Sequence, residues 1–263
     1  MLRRLVKLAL SAVVWAWDRL AESAASLSGR APKPRLVILY YHAVPDAHRA
    51  LFERQMKSVA SIATPVPLPP GGLPTPRALQ IAITFDDGFE SVVRNAMPVL
   101  RRYGIPITMF FPTGSWGSRP SWVVDPRHPS YVERVLDRDE LRAFAADPLV
   151  TVGSHSITHP RFPSLAPEKA MHEFVQSKTD LETVLGRPVE LFSFPHGAHD
   201  ATALDRARQA GYRQVYTVNP ERLSPATQAF ALGRIAVDPD DWPLEFALKI
   251  RGAYRWCAAP PIS

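Results

Sequence analysis

Residues 84–88 read Thr-Phe-Asp-Asp-Gly, and residues 153–159 read Gly-Ser-His-Ser-Ile-Thr-His. Two adjacent carboxylates and a His-x-x-x-His pair are the parts of a metal-dependent hydrolase. The carboxylates close a short β-rich run of Leu79, Ile81, Ile83 and Phe85. A buried strand does not end on two unpaired like charges a few ångströms apart unless a cation lies between them. Taken alone, Asp-Asp-Gly also reads as a solvated turn. His155 and His159 are four apart, so their rings share one face of a helical turn or converge in a compact loop. Two neutral imidazoles plus one carboxylate make a three-ligand site with an open position, the arrangement of a catalytic divalent metal, and zinc is the expected ion. Surface histidines at that spacing are common, but here residues 149–154 read as a buried strand just before them. Both motifs therefore follow the C-terminal end of a strand, where α/β folds put their sites.

The elements that must position these groups alternate along the chain. Strands are expected at 36–41, 81–85, 107–111, 150–154, 191–194, 214–218 and 231–236. Helices are expected at 50–61, 90–103, 138–146, 166–186, 201–210 and 243–252. The 166–186 helix is the clearest, with Met171, Phe174, Val175, Lys178, Leu181 and Leu185 on related positions and Gly186 closing it before Pro188. Strand–helix alternation with sites at strand ends argues for a parallel barrel. The length of 263 residues suits a single barrel, and 46% hydrophobic with 21% charged residues is a globular composition. The expected organisation is an N-terminal segment, 1–30, and one catalytic domain, 31–263, with its motifs between 80 and 237. The 27 prolines cluster at 65–76, which reads as an irregular connection into the Asp-Asp-Gly strand. Cys257 is the only cysteine, so no internal disulfide can form.

The net charge of +6 raises the question of nucleic acid, but no helix-turn-helix, zinc-finger or aromatic RNA-binding signature is present, and none is expected as partner. A basic surface suits anionic glycans or lipid headgroups equally well. Residues 1–7 are basic, Leu8 to Trp17 is an apolar run of ten, and Asp18-Arg19 stops it. Ten residues are about half of what spans a bilayer. Three readings of this segment stay open. A signal peptide would have this basic start and apolar core, with small residues following at 21–25. An interfacial helix would set Leu2, Leu5, Val6, Ala9, Leu10, Val13, Trp17 and Leu20 on one stripe, giving peripheral membrane contact through residues 1–27. The third is a helix that simply docks on the domain. Localisation stays open with them, between the cytoplasmic face of a membrane and export with the segment cleaved or retained.

Several ordered segments resemble the polysaccharide deacetylases, carbohydrate esterase family four. They are residues 84–88, Thr108-Met109-Phe110-Phe111-Pro112-Thr113-Gly114, residues 153–160, and Phe192-Ser193-Phe194-Pro195-His196-Gly197, with an opening Tyr40-Tyr41-His42-Ala43-Val44 like that of one branch. The resemblance runs from about residue 36 to about 237 and implies a distorted (β/α)7 barrel. It also implies a hydrolase that removes N-acetyl or related acyl groups from a carbohydrate. By resemblance, Asp87, His155 and His159 hold the metal, Asp86 is the general base, and the His196 backbone N–H helps hold the oxyanion.

Two departures from the family pattern stand out. Relatives often carry an arginine at position 193 that pairs with the base. This chain has Ser193, which nominates Arg234 as the partner of Asp86. Relatives also often carry a Leu-x-His near the C-terminus whose histidine protonates the leaving amine. No histidine follows His199 here, and His42 is nominated instead. His128, His172 and His199 are expected in loops or on helix surfaces. Trp116, Trp122 and Tyr131 in the 115–137 loop are either sugar-stacking platforms or loop packing. The alternatives are the same machinery on a non-sugar amide, deformylation of a lipid-linked amino sugar, or a non-catalytic glycan-binding barrel; a binding module has no need of a base such as Asp86.

Overall fold

A computed structural model describes residues 1–29, 34–69, 78–224 and 226–257. A long helix, α1 (Leu2–Leu27), comes first, then β1 (Arg35–Tyr41), α2 (Arg49–Ile62) and a two-residue strand, β2 (Thr64–Pro65). Next come β3 (Leu79–Phe85), α3 (Met97–Tyr103), β4 (Ile107–Phe111), α4 (Arg138–Ala145) and β5 (Val150–Ser154). They are followed by α5 (Pro167–Leu185), β6 (Leu191–Ser193), α6 (Ala201–Gln209) and β7 (Gln214–Thr217). Strands β8 (Ala231–Gly233) and β9 (Ile235–Ala236) precede a last helix, α7 (Pro243–Lys249).

Every ladder is parallel, in the order β8-β7-β6-β5-β4-β3-β1-β9, with β2 added beside β3. The expected strand 231–236 is interrupted at Arg234. Its first half pairs with β7 and its second half with β1, so one short segment joins the two ends of the sheet and nearly closes the barrel. Closure removes the exposed edges that an open sheet would leave. Leu36, Ile38, Ala82, Phe110, Leu191, Tyr216 and Leu232 come from strands all round the sheet yet form one cluster, which therefore fills the barrel interior. Their neighbours Val37, Leu39, Ile81, Ile83 and Phe85 pack outward beneath the helices.

Local chemistry sets the helix ends. Asp137 and Glu140 form a reciprocal capping box at the start of α4. Pro167 opens α5, and Gly186 closes it at φ 64°, a left-handed conformation that glycine enters without strain. The buried face of α5 is Ala170, Glu173, Phe174, Ser177, Leu181 and Val184. The expected stripe is thus rotated, and Val175 is exposed. The wheel had been centred on the large apolar residues, whereas a glutamate and a serine occupy the face toward the loops. The expected 90–103 helix begins with a π-helical turn, Val92–Ala96. The 243–252 helix ends at Lys249. Of the proline-rich connection 65–76, residues 70–76 lie outside the described residues; Thr64–Pro65 is strand, not irregular chain.

Candidate metal centre and active site

Alternation along the strands decides which side chains reach the barrel interior. Ala82 faces inward, so Thr84 and, one step past β3, Asp86 continue the same series. Val152 faces the helices, which turns Gly153 and then His155 inward. Ser193 follows the inward Leu191 by the same count. A buried polar layer results at the C-terminal ends of the strands, and Arg234 from the closing segment enters it.

Arg234 is fully buried. Its Nη1 donates to Asp86 Oδ1 and its Nη2 to Asp86 Oδ2, each at 2.8 Å. Further bonds run from Nη1 to Thr84 Oγ1 (3.0 Å), from Nη2 to Ser193 Oγ (2.6 Å) and from Nε to the Thr217 carbonyl (3.3 Å). Each guanidinium N–H thus has an acceptor, while Tyr40 and Phe110 cover the cation at 4.7 and 5.2 Å. Burial alone would raise the Asp86 pKa. The Arg234 charge and hydrogen bonds, together with His155 and His42, offset it, and Asp86 lies below the ordinary carboxylate range. Ser193, at the position where an arginine was missed, is itself a partner of that incoming arginine.

Asp87, Ser156, His159 and His196 all adopt left-handed φ, at 71°, 69°, 59° and 55°. Non-glycine residues enter that region rarely and persist there when their surroundings over-determine them. Between Asp87 and the helices, Gly88 is itself left-handed, and a Cβ there would lie 2.5 Å from the Phe111 ring. The turn brings Asp87 Oδ1 to 3.3 Å from His159 Nε2 and 3.6 Å from His155 Nε2. One ligand atom from each of the three residues lies within 4.8 Å of the others, and all three are buried.

The donor set fits a metal. His155 Nδ1 is 2.7 Å from the Ser193 carbonyl and must donate to it, which leaves a lone pair on Nε2. Burial holds the His155 pKa down at about 4, so its ring is neutral near neutral pH. Asp87 Oδ1 is buried with no partner in hydrogen-bond geometry. Burial would raise the Asp87 pKa, yet the adjacent His159 and His42 leave it well below the ordinary range. Electron-rich atoms facing one another at these distances are satisfied by a cation.

One residue outside the motifs holds the histidine loop. Glu173 on α5, itself buried, accepts from the Ile157 N–H (2.7 Å), the Thr158 N–H (3.0 Å) and the Thr158 hydroxyl (2.6 Å). The Ser156 hydroxyl accepts from the His159 N–H at 3.1 Å. Among the many charged residues of α5, nothing in the sequence singled this one out.

A cavity of about 670 Å³ opens over this layer, lined by His42, Asp87, Trp122, His159, His196 and Asp240 among others. His42 is exposed on its wall, its ring edge-on to Tyr40 at 5.7 Å. His196 sits in a turn where the Gly197 and Ala198 amides bond to Phe194 and Pro195, and its ring meets His159 at 4.5 Å. Trp122 stacks on His159 at 4.4 Å and so belongs to the cavity. Trp116 packs instead on Phe111 at 4.6 Å. Tyr131 lies under Arg119. His128, expected on a loop, also lines the cavity. His172 is on the outer face of α5 and His199 stacks on Phe194.

A family model described as polysaccharide deacetylase matches residues 74–215. A putative polysaccharide deacetylase of Bacillus subtilis, YxkH, is 27% identical over 159 residues, covering 60% of this chain and 52% of that protein. The poly-beta-1,6-N-acetyl-D-glucosamine N-deacetylase of Escherichia coli is 22% identical over 213 residues, covering 68% of this chain and 31% of that protein. The chain thus spans about half or less of the length of these curated relatives. Among solved structures, IcaB from Ammonifex degensii superposes with a TM-score of 0.69 at 26% identity, covering 82% of this chain and 97% of that one. The Streptococcus pyogenes deacetylase PplD, solved with acetate, shares the fold at a TM-score of 0.66 and 20% identity, over 83% of this chain and 99% of that one.

Proposed function

The chain belongs to the polysaccharide deacetylase family, and from that premise we propose that it is a metal-dependent hydrolase releasing an N-acetyl or related acyl group from a carbohydrate. The observation that carries this reading is Asp87 Oδ1, buried without a hydrogen-bond partner and faced by two imidazole nitrogens, one residue from a carboxylate clamped by Arg234. Asp87, His155 and His159 are assigned as ligands, with zinc the ion best suited to two nitrogens and one carboxylate. Once bound, a divalent cation lowers the pKa of a water toward neutrality and polarises the acyl carbonyl.

The chain's own groups supply the rest. Asp86 takes a proton from the attacking water, and Arg234 keeps that carboxylate ionised and aimed. The His196 N–H donates to the oxyanion that develops as the water oxygen bonds to the acyl carbon, an interaction worth about 3 kcal/mol in such sites. His42 gives a proton to the amine nitrogen as the carbon–nitrogen bond breaks, leaving a free amine and a carboxylate. A binding module without catalysis has no use for a base held this way.

The decisive measurement pairs metal content with acetate release from N-acetylated oligosaccharides. One equivalent of divalent metal is expected, with activity lost to a chelator and restored by Zn²⁺ or Co²⁺. A folded protein with no stoichiometric metal, whose behaviour His155→Ala leaves unchanged, sinks the assignment.

A further inference from the structure

Helix α1 docks on the domain yet leaves a long apolar stripe exposed. Its barrel-facing side is mixed: Leu8, Ala12 and Val14 pack on the core, and polar groups bond across the rest of the seam. Arg4 Nε pairs with Glu245 at 2.7 Å, Asp18 is held by Arg222 and Arg255 at 2.7 and 2.8 Å, and Glu22 by Arg35 at 2.6 Å. Ser11, the one fully buried residue of the helix, accepts from the Trp256 indole. The opposite side carries Leu2, Val6, Ala9, Val13, Trp17 and Leu20, all exposed, with Leu2 at 76% and Trp17 at 72%. A helix serving only to brace the domain would bury that stripe.

Charge is sorted in the same way. Both acids of the helix, Asp18 and Glu22, are engaged in ion pairs with the body. Arg3 and Lys7, exposed, form no ion pair among the described residues and lie beside the apolar stripe. An apolar face bordered by unpaired cations is complementary to anionic headgroups over acyl chains. No helix among the described residues is long and apolar enough to cross a membrane, so contact is with its surface.

From the exposed stripe and its unpaired cations we infer that α1 is a docking face for an anionic lipid bilayer, lying in the interface with Leu2, Val6, Val13, Trp17 and Leu20 inserted and Arg3 and Lys7 against the headgroups. The helix runs antiparallel to β1, since Glu22 meets Arg35 at the start of that strand while Arg4 reaches the Asp240 carbonyl (3.3 Å) beyond the other end of the barrel. Asp240 also lines the catalytic cavity. The mouth of the cavity therefore opens close to the bilayer when the helix lies on it.

The test is flotation of the full chain with vesicles of phosphatidylcholine alone and with about a third phosphatidylglycerol, at low and high salt. Binding is expected to anionic vesicles and to weaken with salt. Val13→Asp combined with Trp17→Asp should reduce it at least tenfold, and Arg3→Glu with Lys7→Glu should remove its dependence on phosphatidylglycerol. Both pairs of sites are exposed, and circular dichroism with thermal unfolding confirms that each variant is folded. The inference is overturned if the wild-type chain ignores anionic vesicles or if the folded variants bind as well as it does. It is equally overturned if light scattering finds a dimer that Val13→Asp splits, which would give the face to a second copy.

Discussion

Asp86 and Asp87 are chemically identical neighbours whose surroundings pull them into different work. Asp86 has both oxygens on the Arg234 guanidinium, while Asp87, swung to a left-handed φ, has an oxygen facing His155 and His159. Asp87→Ala is accordingly expected to lose metal and turnover together. Asp86→Asn should keep metal while turnover falls by roughly 10²–10⁴, the range for removal of a general base. Equal metal loss in both variants would show that the roles are wrongly divided. His42 is separable in another way. An amine leaves only when protonated, whereas a phenoxide leaves unaided. His42→Ala should therefore slow acetate release from an N-acetyl sugar far more than from an aryl acetate, with metal content unchanged. Matching losses on the two substrates would reduce His42 to a structural residue.

At the scale of elements, the histidine loop is tied by backbone bonds to Phe111, Thr113 and Gly114 on one side and by Glu173 of α5 on the other. Glu173→Ala leaves two amides and a hydroxyl without their acceptor; a buried group left unsatisfied costs about 1–3 kcal/mol. Metal affinity should fall by roughly 10–100-fold, as for other supporting partners of ligands, while the far-UV spectrum is retained. Unchanged affinity in chelator competition would refute the link. The difference between Glu173 and the motif residues also explains what the sequence reveals. Asp86, Asp87, His155 and His159 are readable because each pair lies within five residues and follows an apolar strand. Glu173 acts from a separate helix, and a glutamate at one helical position looks like any solvated charge until the loop it serves is folded against it. Strand positions were legible for a related reason, since parallel strands buried on both faces stand out as apolar runs. The break at Arg234 was not, because a single arginine within 231–236 does not say that the residues before it pair with β7 and those after it with β1.

At the scale of the molecule, the parallel barrel with its surrounding helices matches the expected architecture, while the pattern of α1 left its orientation open. The stripe was legible and fitted either an interfacial or a docked helix. The contacts that hold the other side to the domain, through Arg4, Asp18, Glu22, Leu8, Ala12 and Val14, come from residues distant in sequence. Closure of the barrel has a further consequence, in the order of synthesis. The chain emerges from the ribosome N-terminus first, so β1 and β3 to β7 can assemble before residues 231–236 exist. Until then both flanks of the sheet lie open, and Asp86 sits in the forming interior as a carboxylate with no counter-charge. The segment that joins the flanks also delivers Arg234, so the residues that complete the barrel are the ones that complete the surroundings of the proposed base. On the proposed reading, a chain that ends before residue 231 is expected to release no acetate.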